Sequence, residues 1–453
     1  MRRRSPWLTC LIVLGAVALC IGGVAAVTSL PPVQERFGWR LSEARAELWY
    51  ALFPPEESVF TPDPTLAAMV RETLTAGAPT PAYSTTPQPE APPTATPSAT
   101  AGPTPPPIPE SVSLEGVVYV DQHNRWNYCG PANLAMALNY WGWPGTRDDI
   151  ALVVKPGIQD PDLDFIQRGR WDKNVMPYEM ADFVSEQTEF GVVVRRGGDI
   201  ELLKRLIAAG FPVLVEKGYY EADYTGKVAW LGHYLYTTGY DDAADEFIVQ
   251  DAYLEPGRDM RVAYPEYIDG WRSFNYLFMV VYPFEREAEL YETLGPWGDP
   301  AWSNEFALET AEAEAEALTG MRQFFAWFNQ GTSLVELLRY PEAAAAYDTA
   351  FGYYADLGDG ETQRPYRIMW YQTGPYFAYF YSGRYQDVVN LANTTLNETI
   401  SEPTLEESLY WRGLAREALG DINGAVEDLR ASLRLHPGFT PALEQLRRLG
   451  VDV

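Results

Sequence analysis

Asn127-Tyr128-Cys129-Gly130-Pro131-Ala132-Asn133-Leu134-Ala135-Met136 is the stretch on which the reading of this chain turns. The chain has three cysteines, and the other two, Cys10 and Cys20, lie in an apolar N-terminal segment. Cys129 therefore has no intramolecular disulfide partner outside that segment. It falls where a loop gives way to a helix expected over residues 129–140. Helix-end N–H groups and the helix dipole favour a thiolate there and lower the thiol pKa. The competing reading is a buried cysteine acting as a small apolar residue.

A cysteine nucleophile needs a base, a group that orients the base, and donors for the oxyanion. The chain offers three histidines. His436 precedes Pro437 at the end of a helical repeat, and His123 lies next to Gln122 in the loop before the cysteine. His233, in Trp230-Leu231-Gly232-His233-Tyr234-Leu235-Tyr236, stands at the start of an expected strand and is the best base candidate. The orienting group follows from hairpin arithmetic. Strands expected at 234–240 and 246–250 flank the turn-rich Asp241-Asp242-Ala243-Ala244-Asp245. Antiparallel pairing centred near residue 242 sets His233 across from residues 251–252, beside Asp251. A carboxylate there would fix the imidazole tautomer and stabilise the imidazolium. A one-residue slip would turn Asp251 to the other face. Gln122 is the candidate oxyanion donor, together with the Cys129 backbone N–H, and Asn127 is a competing amide. One cysteine and one well-placed histidine do not make the usual four zinc ligands, and no glycine-rich phosphate loop stands out. No cofactor or metal is expected. Trp126, Trp141, Trp171 and Trp230 are candidates for a cleft lining, with core packing the commoner role for such residues.

Net charge is 34 − 62 = −28. This argues against a nucleic-acid partner, because phosphate backbones need Lys/Arg neutralisation. The N-terminus reads Met1-Arg2-Arg3-Arg4 followed by the apolar run Trp7–Leu30. That run exceeds a signal-peptide core of ~7–15 residues and reaches the ~20 needed to span a bilayer. The arginines place the N-terminus in the cytoplasm and the rest of the chain outside. Cleavage near Ala25-Ala26 is the alternative, giving a secreted protein. Residues 1–30 are thus read as tail and transmembrane anchor, and 31–78 as a juxtamembrane segment with an amphipathic stretch at 39–49. Residues 79–111 are a Pro/Thr-rich linker, extended at ~3.1 Å per residue, that would hold the neighbouring domain away from the membrane.

Residues 112–284 read as an α+β domain, with strands expected at 191–195, 212–216, 234–240, 246–250 and 276–282 and a helix at 200–209. Residues 300–450 switch to helix. Gly413, Gly420, Ala425, Leu429 and Pro437 have tetratricopeptide spacing, with an earlier copy around Gly331, Leu334, Tyr340, Ala343 and Tyr347 and a divergent one around Gly383, Tyr385 and Val388. The period is irregular. Such an array, with small residues where paired helices meet, would recruit a protein or peptide partner.

The Asn127–Ala132 segment, Gly232-His233-Tyr234 with Gly239-Tyr240-Asp241-Asp242, and Asp251-Ala252-Tyr253 together resemble the C39-like branch of papain-fold cysteine peptidases. Asp172–Met180 and Gly210–Glu216 fit the same pattern. The resemblance covers about 112–284. It implies a papain-like fold with Cys129 as nucleophile, His233 as general base and acid, Asp251 as orienter and Gln122 as oxyanion donor. The spacing from Gln122 to Cys129 is one residue longer than in the papain type. The expected whole is a membrane-anchored, outward-facing peptidase joined to tetratricopeptide repeats. A catalytically silent papain-like scaffold, or an acyl transferase using the same thiol, would be its alternatives.

Overall fold

The computed structural model describes residues 60–77, 108–159 except 124 and 126, 174–222, 228–357, 364–397 except 366, and 405–452. Its centre is a 7-stranded antiparallel sheet. The strands are β1 (Ser111–Ser113), β2 (Phe190–Arg195), β3 (Val213–Ala222), β4 (Val228–Asp241), β5 (Glu246–Gln250), β6 (Met260–Ala263) and β7 (Phe278–Pro283). Their order is β2-β7-β3-β4-β5-β6, with β1 pairing β4. β3 pairs β4 as far as Val213↔Thr237, and β1 takes over that edge at Gly239 to Asp241. The sheet is apolar on both faces where it is covered. Val213, Val215, Leu235, Phe247 and Val249 pack with Leu202, Leu206 and Ile207, while Leu214, Tyr234, Tyr236, Met279 and Val281 pack with Ala132, Ala135 and Met136.

Two helices flank the cysteine side, α2 (Cys129–Tyr140) and α3 (Arg147–Val154), and α4 (Pro177–Gln187) comes next in the chain. Thr146 and Asp149 close a reciprocal cap at the start of α3, which satisfies N–H groups that a helix end leaves open. On the other face α5 (Ile200–Ala208) is capped by Asp199 and buries Leu202, Leu203, Leu206 and Ile207. The spacing of those four is the one-face pattern of an amphipathic helix. α6 (Tyr264–Arg272) links β6 to β7, and α7 (Glu287–Leu294) ends the sheet region.

The strands differ from the sequence expectation mainly in reach. β4 begins at Val228, so His233 sits within the strand and not at its start. Residues 217–222 extend β3 to pair with it. The glycines there accommodate bulky neighbours: a Cβ at Gly218 would stand 2.3 Å from Trp230 Nε1. β6 and α6 were not anticipated, because Met260–Ala263 is short and half-exposed.

The C-terminal region is all helix: α8 (Pro300–Ala317), α9 (Met321–Glu336), α10 (Tyr340–Asp356), α11 (Gly374–Tyr381), α12 (Tyr385–Asn397), α13 (Glu406–Ala418), α14 (Ile422–Leu435) and α15 (Thr440–Arg448). Consecutive helices pack against each other. Gly331 lets the Tyr347 ring approach, since a Cβ there would stand 2.6 Å from it, and Gly413 meets Ala425 and Leu429. Its apolar core is continuous with the sheet region, because Trp230, Phe274 and Leu277 share one cluster with Phe324, Phe325, Phe328 and Tyr371.

Before the linker, one more helix, α1 (Pro64–Gly77), packs on α10. Phe60 meets the rings of Phe351 and Tyr379, and the Asp63 N–H donates to Asp387 (3.0 Å). Segments on both sides of the linker thus rest on the folded body, and residues 79–107 of the linker itself lie outside the described residues. Among the described residues no helix is long and apolar enough to cross a membrane, and the run Trp7–Leu30 and the stretch 39–49 lie outside them.

Candidate active site

Cys129 is the first residue of α2, and its cap, Tyr128, contributes no side-chain bond. The earliest N–H groups of a helix have no intrahelical acceptor, so the thiol stands at the positive end of the helix dipole. Asn133, one turn on and fully buried, fixes this helix to the sheet. Its Nδ2 donates to the Cys129 carbonyl (2.9 Å) and to the Tyr234 carbonyl (3.0 Å). The strand that carries His233 is thereby stapled to the helix that carries the thiol. Lys155 steadies the approach from the loop side, donating to the Asn127 carbonyl (2.9 Å) with its ammonium 4.6 Å from the Tyr128 ring centre.

His233 Nε2 lies 2.8 Å from Asp251 Oδ1, with both side chains almost wholly buried (3% and 1% exposed). That leaves Nδ1 for the thiol, and the Cys129 and His233 side chains are hydrogen-bonded. Oδ1 of Asp251 also accepts from the Tyr253 N–H (2.8 Å) and the Leu254 N–H (2.9 Å). Burial disfavours the charged carboxylate, yet the His233 charge and these N–H donors outweigh it and hold Asp251 well below the usual carboxylate range. Burial likewise pulls the imidazole down, but the Asp251 carboxylate and the Cys129 thiol carry it up to about 10. Burial pushes the thiol up, and the His233 hydrogen bond and charge, the Tyr234 N–H and Lys155 bring it below its ordinary 9.0. Together they favour a thiolate–imidazolium pair.

The hairpin arithmetic needs one correction. Tyr236 faces Gln250 and Thr237 faces Val249, and the register then shifts at a bulge before Gly239. Continuing the inner register by one step sets Asp251 opposite Leu235, diagonal to His233 on the same face. The pairing centre lies about one residue further along than expected, but two-residue periodicity keeps both side chains on one side.

Gln122 is bound by its backbone, the N–H donating to the Ala252 carbonyl (2.7 Å), while its side-chain oxygen is buried without a hydrogen-bond partner. This holds the loop before the cysteine against the segment that carries Asp251. His123 is partly exposed and meets the Tyr253 carbonyl (3.1 Å), and His436 lies on the helical region beside Glu406 (2.9 Å). Trp141 donates to the Val281 carbonyl (2.7 Å) and packs on Phe211, and Trp230 sits in the shared apolar core. Both are core residues, and Trp126 and Trp171 lie outside the described residues.

Sequence reasoning overlooked three neighbours. Glu216, buried on β3 opposite Tyr234, is pushed well above the usual carboxyl range by burial and by the thiolate. A neutral Glu216 can donate to the Tyr234 hydroxyl, which donates in turn to the Val175 carbonyl (3.0 Å). Asn174 and Tyr371 are the others. Glu216 closes the apolar run Gly210–Glu216, so a buried carboxyl in an apolar strand was its available signal. Tyr371, far away in sequence, carried none.

Residues 114–278 match the family model described as Peptidase_C39 like family. No curated protein matches the chain. Among solved structures, a protein from Bacillus anthracis described as a C39-like peptidase aligns at 17% identity over 38% of this chain and 98% of its own, with a TM-score of 0.29. Xylellain, a cysteine protease from Xylella fastidiosa, aligns at 17% identity over 50% of this chain and 94% of its own, with a TM-score of 0.27. The chain thus carries, over residues 114–278, a domain matching the C39-like peptidase family, ahead of a helical C-terminal region.

Proposed function

We propose that this protein is a cysteine peptidase that hydrolyses an amide bond through Cys129, His233 and Asp251. The observation that carries the reading is the bond of 2.8 Å between His233 Nε2 and Asp251 Oδ1, with the thiol at a helix N-terminus hydrogen-bonded to the same imidazole. The thiolate attacks the substrate carbonyl carbon. The oxyanion that forms accepts from the Cys129 backbone N–H and from the Gln122 side-chain amide. His233, protonated at Nδ1, gives its proton to the departing amine as the C–N bond breaks, leaving an acyl-thioester on Cys129. His233 then removes a proton from water, the hydroxide adds to the thioester, and the C–S bond breaks to return the thiolate and release the acid. Asp251 holds the ring tautomer and the positive charge throughout.

The surroundings of this activity belong to the same proposal. Trp7–Leu30 anchors the chain in a membrane with the three leading arginines inside and the peptidase outside. The helical region is a divergent tetratricopeptide array that receives a protein or peptide. Digestion of a peptide library by the full chain, with Cys129→Ala as control, tests the activity. Products that vanish with the thiol are expected. A digest identical with and without the thiol would overturn the peptidase reading in favour of a silent scaffold.

A further inference from the structure

The helical region reaches into the site. Ile368–Trp370 form a short turn in which the Ile368 carbonyl accepts from the Tyr371 N–H (3.1 Å) and the Gln372 N–H (2.9 Å). Tyr371 is delivered from this turn onto β4, edge-on to Trp230 and Phe274, with ring centres 5.6 and 5.9 Å apart. It lies directly against Gly232, the residue before His233, where even a Cβ would stand 2.6 Å from its ring. Its hydroxyl oxygen accepts from the Gly232 N–H on one side and from the Asn174 side chain on the other, and it is close enough to Cys129 to feel the thiolate.

Those two donors belong to opposite walls beside the thiol. Gly232 is on the strand of His233. Asn174 precedes Val175, whose side chain lies 3.1 Å from where a Cβ on Gly130 would stand. Two N–H donors converging on one oxygen is how a peptide carbonyl is held. The phenol thus occupies a position that the carbonyl of an extended substrate would need. The cover is also fixed in place. Gln372 donates to the Ser273 carbonyl (2.7 Å), Asn275 to Ser333 Oγ (2.8 Å), Asn329 to the Arg272 carbonyl (2.7 Å), and Arg196 pairs with Glu336 (2.8 Å). Lifting the region away would also open the shared cluster around Trp230, Phe274 and Phe325.

We infer that Tyr371 closes one end of the cleft beside His233, so that the peptidase takes the end of a peptide chain and not an internal stretch. The inference rests on the peptidase reading and deepens it. The helical region acts as one wall of the site as well as a surface for partners. Tyr371 is a specificity-determining residue, since it sets how far a substrate can run past the thiol.

The test uses covalent labelling, which needs no turnover. The full chain is treated with iodoacetamide and with epoxide reagents extended by a tripeptide on one side, on the other, or on both. With each epoxide the thiolate opens the ring by forming a C–S bond, and the oxygen takes up a proton to become an alcohol. Labelling of Cys129 is read by mass spectrometry. The expected result is rapid reaction with one of the single-sided reagents, and reaction about 10-fold or more slower with the other and with the two-sided one, as misplacement by an ångström suffices for such a loss. Tyr371→Ala should bring the two-sided reagent to within about 3-fold of the faster one, each rate being taken relative to that protein's own iodoacetamide rate. Tyr371→Leu, which keeps apolar volume against Trp230, should open the site in the same direction if the alanine variant folds poorly. A wild-type protein that takes the two-sided reagent as fast as the better single-sided one overturns the inference, as does an unchanged ratio in the folded variants. A Cys129 that iodoacetamide labels no faster than an ordinary thiol would overturn the peptidase reading itself.

Discussion

Replacing Asp251 by asparagine removes one charge and little volume, which isolates the electrostatic part of the site. The carboxylate lies 2.8 Å from His233 Nε2. Burial lowers the proton affinity of the ring, and it is chiefly Asp251 that carries the imidazole up to about 10. Without that charge His233 returns toward its ordinary 6.5. At pH 8 an imidazole titrating near 10 is about 99% protonated, whereas one near 6.5 is about 3% protonated. The leaving amine takes its proton from the imidazolium, so Asp251→Asn should reduce kcat/KM at pH 8 by about 30-fold. At pH 6 most of the variant's imidazole is still charged and the loss should be much smaller. The assay is kcat/KM against pH on a peptide found by library digestion. The alkaline limb should move from near 10 in the wild type down toward 6.5 in the variant. An alkaline limb that stays in place would refute the argument.

The same shifts make folding depend on pH, with signs set by linkage. His233 has a raised pKa, so its contribution is complete below its unfolded value of 6.5 and is lost as pH rises through about 10. Asp251 has a depressed pKa, so its contribution is complete above 3.8 and is lost as pH falls through its folded value. Cys129 has a depressed pKa and the opposite sign, so it offsets the histidine until pH passes the thiol's ordinary 9.0, and thermal melts should fall in the wild type as pH rises from 9 through about 10, and less so in Asp251→Asn. Asn133→Ala removes both donors to the Cys129 and Tyr234 carbonyls. Leaving such acceptors buried should cost about 2 kcal/mol in urea unfolding, and thiol reactivity should fall with it as the staple loosens. Burial and the thiolate both favour the neutral form of Glu216, so Glu216→Gln should retain most of the activity and leave the pH profile in place, whereas a profile that shifts would mean the carboxylate is charged.

Much of this site was legible because its chemistry is local. A lone cysteine before an apolar helical run marks a helix start, and α2 begins at that residue. The Asp241–Asp245 turn between two apolar runs brings His233 and Asp251 together, and the two-residue strand period tolerated the bulge that displaced the pairing centre. The start of β4 was not legible, because the expected strands stop at 216 and begin at 234, and Gly218 and Gly232 fit a strand only once Trp230, Ser273 and Tyr371 are seen filling the space they leave. Tyr371 lies beyond any local pattern, and Asn174, although inside the Asp172–Met180 stretch, carried no sign of its role. Their place depends on a helical region packing on the sheet through Trp230 and Phe274, a tertiary contact with no periodic signature. The docking of Phe60 and α1 on α10 is of the same kind, since an amphipathic stretch declares an apolar face but not its partner.

The pH dependence of Cys129 alkylation by iodoacetamide, in the wild type and in His233→Ala with Cys129→Ser as the blank, tests most directly whether His233 holds the proton that the sulfur has given up. The wild-type rate should reach half its maximum below the 9.0 of an ordinary thiol, and His233→Ala should move that midpoint to 9.0 or above, because burial then acts without its main counterweight. At pH 7 a thiol of pKa 9 is about 1% ionised, so the variant's rate there should fall below that of the wild type. Midpoints that coincide in the two proteins would contradict the account.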